Sequence, residues 1–371
     1  MKTLKLLTTL FCAAILWGCT PKNLTIEWDH STCHFVTSGV YARIKRVDNR
    51  HALVYNAGDP ALIRFSDNEC NSWGEAIEVA RAEDYSFTNS ELLQLHSGRL
   101  LYMWNARPHR DTGLPFKIMF STSDDGGRSW SEARDLYVAH PRFQDGCWEP
   151  VALQLPDGEV QIYFANEAPY TESSEQEISM MRSNDDCKTW SQAEKISFRA
   201  GSRDGMAVPI YLPHSNEIAV AIEDNGIRGR FKPVIVRTTN NWKDGFVSAN
   251  DPRREEALTP DCAVHDTIYA GAPYLIRLGK NHTLLSIQST EGRKGHNERF
   301  ANMQVYVGDR DARNFCNRST PMPNLKENAS ALWNSLYQID EETVIAVMSV
   351  GGQERGKGGI WTVKGKIVEV E

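Results

Sequence analysis

The sequence has no long basic run, no Cys-x-x-Cys pair and no histidine-rich spacing. Its 41 Lys+Arg are outnumbered by 48 Asp+Glu, for a net charge of −7. Such a chain has no general electrostatic hold on a phosphate backbone, so nucleic acid is not an expected partner. The missing cysteine and histidine pattern argues against a structural zinc site, and no metal or other cofactor is expected. An anionic glycan is not excluded by the same reasoning, because it needs basic residues gathered locally and not a basic protein.

The N-terminal apolar run, LLTTLFCAAILW, follows Lys2 and Lys5 and is too short to span a bilayer permanently. Residues 1–18 therefore read as a secretory signal. Leu16-Trp17-Gly18-Cys19 resembles a bacterial lipobox, which implies acylation of Cys19 as the first mature residue. This predicts a protein lipid-anchored in the bacterial cell envelope, at the outer membrane with the side left open, and residues 19–31 as a polar tether. Setting aside Cys12 and Cys19 leaves Cys33, Cys70, Cys147, Cys187, Cys262 and Cys316. An even number permits disulfides in an exported protein, but spacing does not choose the pairs, and free buried thiols remain open.

With 41% hydrophobic and 24% charged residues, the remainder reads as one large soluble domain, residues 32–371, expected as a monomer. Hairpins separated by polar or glycine turns begin at 42, 92, 151, 208, 272 and 335, at intervals of 50, 59, 57, 64 and 63 residues. A repeat near 60 residues with four strands per unit predicts an all-β, six-bladed β-propeller of four-stranded antiparallel blades. The C-terminal GGIWTVKGKIVEV is too short for two strands. The segment CHFVTSG near the start is expected to supply the outer strand of the last blade and close the ring.

A second repeat accompanies the hairpins. Ser123-Asp-Asp-Gly-Gly-Arg-Ser-Trp130 fits S-x-D-x-G-x-[ST]-W, the Asp-box of bacterial neuraminidase repeats. Ser183 to Trp190 and Ser66 to Trp73 are variants, and Thr239-Asn-Asn-Trp242 is a worn copy. Each falls between the third and fourth strands of its unit. Its Asp accepts turn N–H bonds, its Gly permits positive φ and its Trp packs between sheets, so the box is a structural device on the back of the disc.

The opposite, front face receives whatever precedes each first strand and follows each second strand. One hairpin, Trp148-Glu-Pro-Val-Ala-Leu-Gln-Leu-Pro-Asp-Gly-Glu-Val-Gln-Ile-Tyr-Phe-Ala-Asn-Glu167, brings Glu149 and Glu167 to one sheet edge. Glu223 reaches the same face from the next unit. Retaining glycoside hydrolysis needs one ionised carboxylate as nucleophile and one protonated carboxyl as general acid, with nearby arginines to hold the first ionised. Glu149, Glu223 and Glu167 are thus the candidate catalytic residues, and Arg43, Arg203, Asp204 and Asn105 the candidate substrate ligands. Trp148, Tyr269 and Trp104 are aromatic residues able to stack on sugar rings, although a propeller Trp such as Trp104 is more often an intersheet wedge.

The hairpins and Asp-boxes resemble the sialidase-like six-bladed superfamily along nearly the whole mature chain. Within it, Trp148-Glu149-Pro150, the YFANE ending at Glu167, Ser202-Arg203-Asp204-Gly205-Met206 and the AIE ending at Glu223 are similar to the exo-arabinanases of glycoside hydrolase family 93. That resemblance implies retaining exo-hydrolysis of α-1,5-L-arabinan, with a glutamate pair matching Glu149 and Glu223. Two alternatives stay open. An exo-sialidase clamps its substrate carboxylate with three arginines, for which Arg43, Arg203 and Arg293 are candidates, but no tyrosine is clearly placed as its nucleophile. A glycan-binding propeller lipoprotein without turnover would lack paired acids on its front face.

Overall fold

The computed structural model of the protein describes residues 23–370 apart from His296. In chain order the strands are β1 (Leu24–Thr37); β2 (Val40–Val47), β3 (Arg50–Asn56), β4 (Ala61–Ser66), β5 (Ile77–Ala80); β6 (Tyr85–Gln94), β7 (Leu100–Pro108), β8 (Lys117–Ser123), β9 (Arg134–Val138); β10 (Cys147–Gln154), β11 (Val160–Asn166), β12 (Glu177–Ser183), β13 (Glu194–Ser197); β14 (Asp204–Leu212), β15 (Glu217–Asp224), β16 (Lys232–Thr238), β17 (Arg254–Glu256); β18 (Ala270–Leu278), β19 (His282–Ser289), β20 (Asn302–Asp309), β21 (Cys316–Ser319); and β22 (Ser330–Gln338), β23 (Thr343–Gly351), β24 (Gly359–Glu369). They form six four-stranded antiparallel sheets, and the first strands of successive blades touch in a closed cycle. All six hairpins anticipated from the sequence are present, each joining the first two strands of a blade.

The ring closes as expected, with β1 as the outer strand of blade six, paired to β24 from Leu24↔Glu369 to Thr37↔Ile360. β1 starts earlier than anticipated. Residues 24–31, assigned above to the tether, belong to the blade, because Ile26 is buried and Trp28 lies over Gly365. A Cβ at Gly365 would come within 2.5 Å of Ile26 and 2.7 Å of Trp28, so this glycine makes the space they fill. Cys19 and the rest of the signal lie outside the described residues.

The Asp-boxes occupy the turns between third and fourth strands. Asp125 accepts the N–H groups of Arg128 and Ser129, both at 2.9 Å, and the Ser129 hydroxyl at 2.6 Å. Asp185 repeats this with Lys188 and Thr189. In the worn copy, the Thr238 hydroxyl accepts the Trp242 N–H at 3.0 Å, as Ser123 accepts that of Gly127 at 2.9 Å. Trp242 thus stands in the box glycine's place, with φ 65°, and turns its indole N–H onto Tyr163. The boxes contact the hairpin turns of the preceding blade, as in Arg50 to the Gly126 carbonyl and Ser97 to Asp186, so both share the back face.

Between blades the core is aromatic and aliphatic. Trp104 is fully buried beside Phe87 and Tyr102, the wedge role, and each such side chain contributes roughly 1.5–3 kcal/mol by burial. On the axis, Lys45 pairs with Glu91 at 2.6 Å and donates to the Tyr274 hydroxyl at 3.0 Å, while Arg43 stacks on Tyr41 and Tyr274. Behind this polar layer lies a cavity of about 670 Å³, lined by the back halves of the inner strands, including Val151, Leu153, Val208 and Ile210. It is remote from the front-face glutamates. Among the described residues one disulfide, Cys262–Cys316, ties the loop after blade four to β21, and Cys33, Cys70, Cys147 and Cys187 are free thiols.

Candidate active site

Near the front of every first strand, one residue is inserted into the register with its neighbour, and a residue at that bulge has left-handed φ. These residues are Tyr41 (54°), Asn89 (56°), Glu149 (48°), Met206 (53°), Ala272 (46°) and Trp333 (48°). Tyr41, Met206 and Ala272 touch one another although they come from blades one, four and five, so the bulges converge on the axis. Left-handed backbone costs a non-glycine residue about 1–2 kcal/mol. In Glu149 that strain sits on a candidate catalytic side chain, which is where such strain tends to concentrate.

Glu149 is half-buried, and no hydrogen bond reaches its carboxyl among the described residues. Burial pushes its pKa up to about 7, with Glu167 pushing the same way and Arg107, Arg203 and Arg43 opposing. Glu223, at the front end of β15, also rises to about 7 through burial and the charge of Glu149, against a 2.6 Å hydrogen bond from the Ala272 N–H. The charge of one carboxyl thus bears on the protonation of the other.

Two glycines make room for Glu223. A Cβ on Gly271 would fall 2.4 Å from its Oε2 and 2.7 Å from the Tyr269 hydroxyl; one on Gly205 would fall 3.1 Å from its Oε1. Tyr269 and Glu223 thus flank one point, and the Tyr269 hydroxyl is held by the Gln288 amide at 2.7 Å. Glu167 lies deeper, 3% exposed. Its Oε2 accepts the Trp148 indole N–H at 2.9 Å and its Oε1 accepts Arg203. Burial raises the Glu167 pKa, and Arg203 and Trp148 oppose the rise.

The structure thus brings Glu149, Glu223, Glu167, Arg203 and Tyr269 together, and buries the other expected ligands. Arg43 is 1% exposed, sealed by Tyr41, and donates to the Ala42 and Trp333 carbonyls. Asp204 is wholly buried and takes a two-pronged bond from Arg254, whose guanidinium also holds Asp224. Asn105, also wholly buried, donates to the Cys147 carbonyl at 2.7 Å and accepts Arg107 at 2.8 Å, so it fixes the start of β10 and does not face substrate. Trp148 is 6% exposed beneath Phe116 and Phe143, a positioning residue for Glu167 and no open sugar platform.

Three residues beyond the expected catalytic and substrate-binding set also border the site, of which sequence position places Arg107 on the front face. Arg107 lies 4.9 Å from the Trp148 ring centre and acts on Glu149; strand alternation from Asn105 is the signal that points to it. Trp333, 39% exposed at the bulge of blade six, supplies an open indole, and its backbone N–H donates to the Gln288 side-chain oxygen at 2.7 Å. Phe143, 59% exposed, offers a second open ring next to Trp148. Nothing in the local sequence separates Trp333 and Phe143 from ordinary core aromatics. No grouping of three or more His, Cys, Asp or Glu suited to a metal ion occurs among the described residues.

No family model matches the sequence, and no curated protein matches it. Solved structures do. The GH93 α-L-arabinofuranosidase of Fusarium graminearum with arabinobiose superposes with a TM-score of 0.66 at 17% identity, over 94% of this chain and 97% of that one. The α-L-arabinanase of Penicillium chrysogenum, also with arabinobiose, gives 0.62 at 14% identity, over 94% and 97%. The NanB sialidase of Streptococcus pneumoniae gives 0.61 at 12%, over 95% of this chain and 71% of that one. The fold is the sialidase-like six-bladed propeller. Arabinan-cleaving enzymes and sialidases are both among its structural neighbours.

Proposed function

We propose that this protein is a retaining exo-glycosidase whose substrate is a glycan, with α-1,5-linked L-arabinofuranosyl chains as the best-supported class. The observation that carries the proposal is the coupled pair Glu149 and Glu223, both raised to about 7 at the centre of the front face. Glu149 has Arg107, Arg203 and Arg43 around it, so it is the carboxylate that stays ionised and attacks the anomeric carbon. Glu223, with Glu298 adding negative charge, keeps the proton, delivers it to the leaving oxygen, and then takes one from the water that releases the sugar. Glu167 positions Arg203 and Trp148 beneath the pair, and Trp333 offers its face to the sugar.

The test is direct. Glu149→Ala should abolish turnover of every substrate, a loss of at least about 10² to 10⁴. Glu223→Ala should spare substrates with very good leaving groups, and azide should restore its rate by replacing the activated water. Near wild-type hydrolysis by both variants would move the site elsewhere. Digestion of arabinans and sialosides with product analysis identifies the sugar.

Exo-sialidase is the second reading, favoured by one observation, the Tyr269 hydroxyl beside Glu223. Against it, Arg43 is sealed, and Arg293 spends its guanidinium on the carbonyls of Phe300, Leu325, Lys326, Glu327 and Ala329. Lipid anchoring through Cys19 is part of the same proposal. Cys19→Ala should leave the protein soluble or unprocessed, and equal membrane partition of variant and wild type would count against it.

A further inference from the structure

A groove of about 480 Å³ opens on the front rim, between the loop that follows β7 and the loop that leads into β10. Arg107, Arg110, Asp111, Phe116 and Phe143 are among its lining residues. Arg107 belongs to both places, since it lines the groove while its guanidinium packs on Trp148 and acts on Glu149. The groove is therefore an extension of the glutamate funnel.

The three arginines around Glu149 differ in how their charge is met. Arg203 is paired with Glu167, and Arg43 lies 4.0 Å from Glu91. Arg107 spends Nε and one terminal nitrogen on the neutral amide oxygens of Asn105 and Asn89, both at 2.8 Å. Among the described residues its other terminal nitrogen makes no hydrogen bond, and no carboxylate pairs with it. It is a desolvated cation with no carboxylate in salt-bridge contact among the described residues; burial pushes its pKa down, and the charge of nearby Glu149 opposes that. Exposed Arg110 has no ion pair among the described residues either, and the neighbouring His109 is turned to Asp59 at 3.4 Å. Phe143 offers its exposed ring to the same space, braced edge-on by Phe116 with ring centres 5.8 Å apart.

We propose that this groove holds the sugar to which the cleaved residue is attached, and that this sugar carries a carboxylate, as a uronic acid does. That narrows the proposed substrate from an arabinofuranosyl homopolymer to a glycan with an acidic sugar at that position. Arg107 and Arg110 take the carboxylate, and Phe143 takes the apolar face of the ring. The planar fork of a guanidinium matches a carboxylate, and a partly desolvated pair is stronger than one in water. A neutral sugar in the groove would remove more water from Arg107 and leave its charge to Glu149 alone, which makes no hydrogen bond to it. The local basic cluster that a protein of net charge −7 needs to bind an anionic glycan is thus supplied at the mouth of the site. This inference rests on the front face being a glycan site.

Isothermal titration of the full protein with trigalacturonate, with its carboxyl-reduced counterpart and with an arabino-oligosaccharide tests it. At low salt the acidic trisaccharide should bind about tenfold or more tighter than the reduced one, and the difference should shrink as salt is added. Arg107→Gln and Arg110→Gln should each remove most of that preference. Arg110 is exposed and unpaired, so its variant folds as wild type does, and melting temperature checks Arg107→Gln. Equal affinity for the two trisaccharides, or a preference that survives both variants, overturns the carboxylate assignment. Binding of the arabino-oligosaccharide alone overturns it while leaving the glycosidase proposal standing. Binding of none of the three removes both.

Discussion

The backbone N–H of Ala272 donates to Glu223 Oε2 at 2.6 Å, so the bulge of blade five grips a carboxylate that blade four delivers. That contact exists because Gly271 has no side chain. Gly271→Ala would place a Cβ 2.4 Å from Glu223 Oε2 and 2.7 Å from the Tyr269 hydroxyl, so one of the two must move. A displacement of about an ångström at a reacting group costs roughly 10²-fold. We expect kcat to fall by about that factor with only a small change in melting temperature. A variant with wild-type kcat would show that Glu223 does not need this grip.

The pH dependence follows from the coupled pair. Turnover needs Glu149 ionised and Glu223 protonated, and both are raised to about 7. The kcat/KM profile should be a bell whose limbs bracket about 7, falling on the acid side as Glu149 takes a proton and on the alkaline side as Glu223 loses one. Arg107→Gln removes a cation that holds Glu149 down, so the acid limb should move to higher pH. An acid limb that stays in place would disconnect Arg107 from Glu149.

The same shifts act on stability with a definite sign. A carboxyl raised from 4.5 to about 7 by folding binds its proton more tightly when folded. The destabilisation is absent well below 4.5, builds as pH rises through the interval, and is complete above about 7. Glu149→Gln should therefore raise the melting temperature at pH 8 and not at pH 4. A gain that is largest in acid would contradict the assignment.

On the back face, Asp125 is held well below the usual carboxylate range, by the Ser129 hydroxyl first and its N–H next. Asp125→Ala should lower the melting temperature through lost turn hydrogen bonds and leave kcat nearly unchanged. A large fall in kcat at an unchanged melting temperature would invert the assignment of the two faces.

Much of this was legible in the sequence because it is local. Hairpins such as β10–β11 announce themselves by alternation around Pro156-Asp157-Gly158, and Asp125 serves a turn that lies within its own eight-residue box. Glu149, Glu167 and Glu223 can be set on one face from the sequence because strand polarity assigns hairpin ends to a face. Where the reading failed, the deciding partner came from another part of the chain. Asp204 is consumed by Arg254, fifty residues on, and Arg43 is capped by Tyr41 and Tyr274. Trp148 and Phe143 are close in sequence, and only the packing of Phe116 and Arg107 decides which ring is covered and which is open. The six bulges carry residues as different as Tyr41, Glu149 and Ala272, so no residue pattern announces them.

The closing strand also sets how the disc is held. β1 pairs Leu24 with Glu369 and Thr37 with Ile360, and β24 in turn pairs Gly359 with Val350, next to the front end of β23. The chain therefore joins the disc at the rim of the back face, where the Val370 N–H meets the Asn23 carbonyl at 2.7 Å. The lipid anchor proposed above would pull on that rim, away from the face that carries the glutamates. A protein tethered in this way would present its funnel like a dish turned away from its mount, open to long chains arriving from solution.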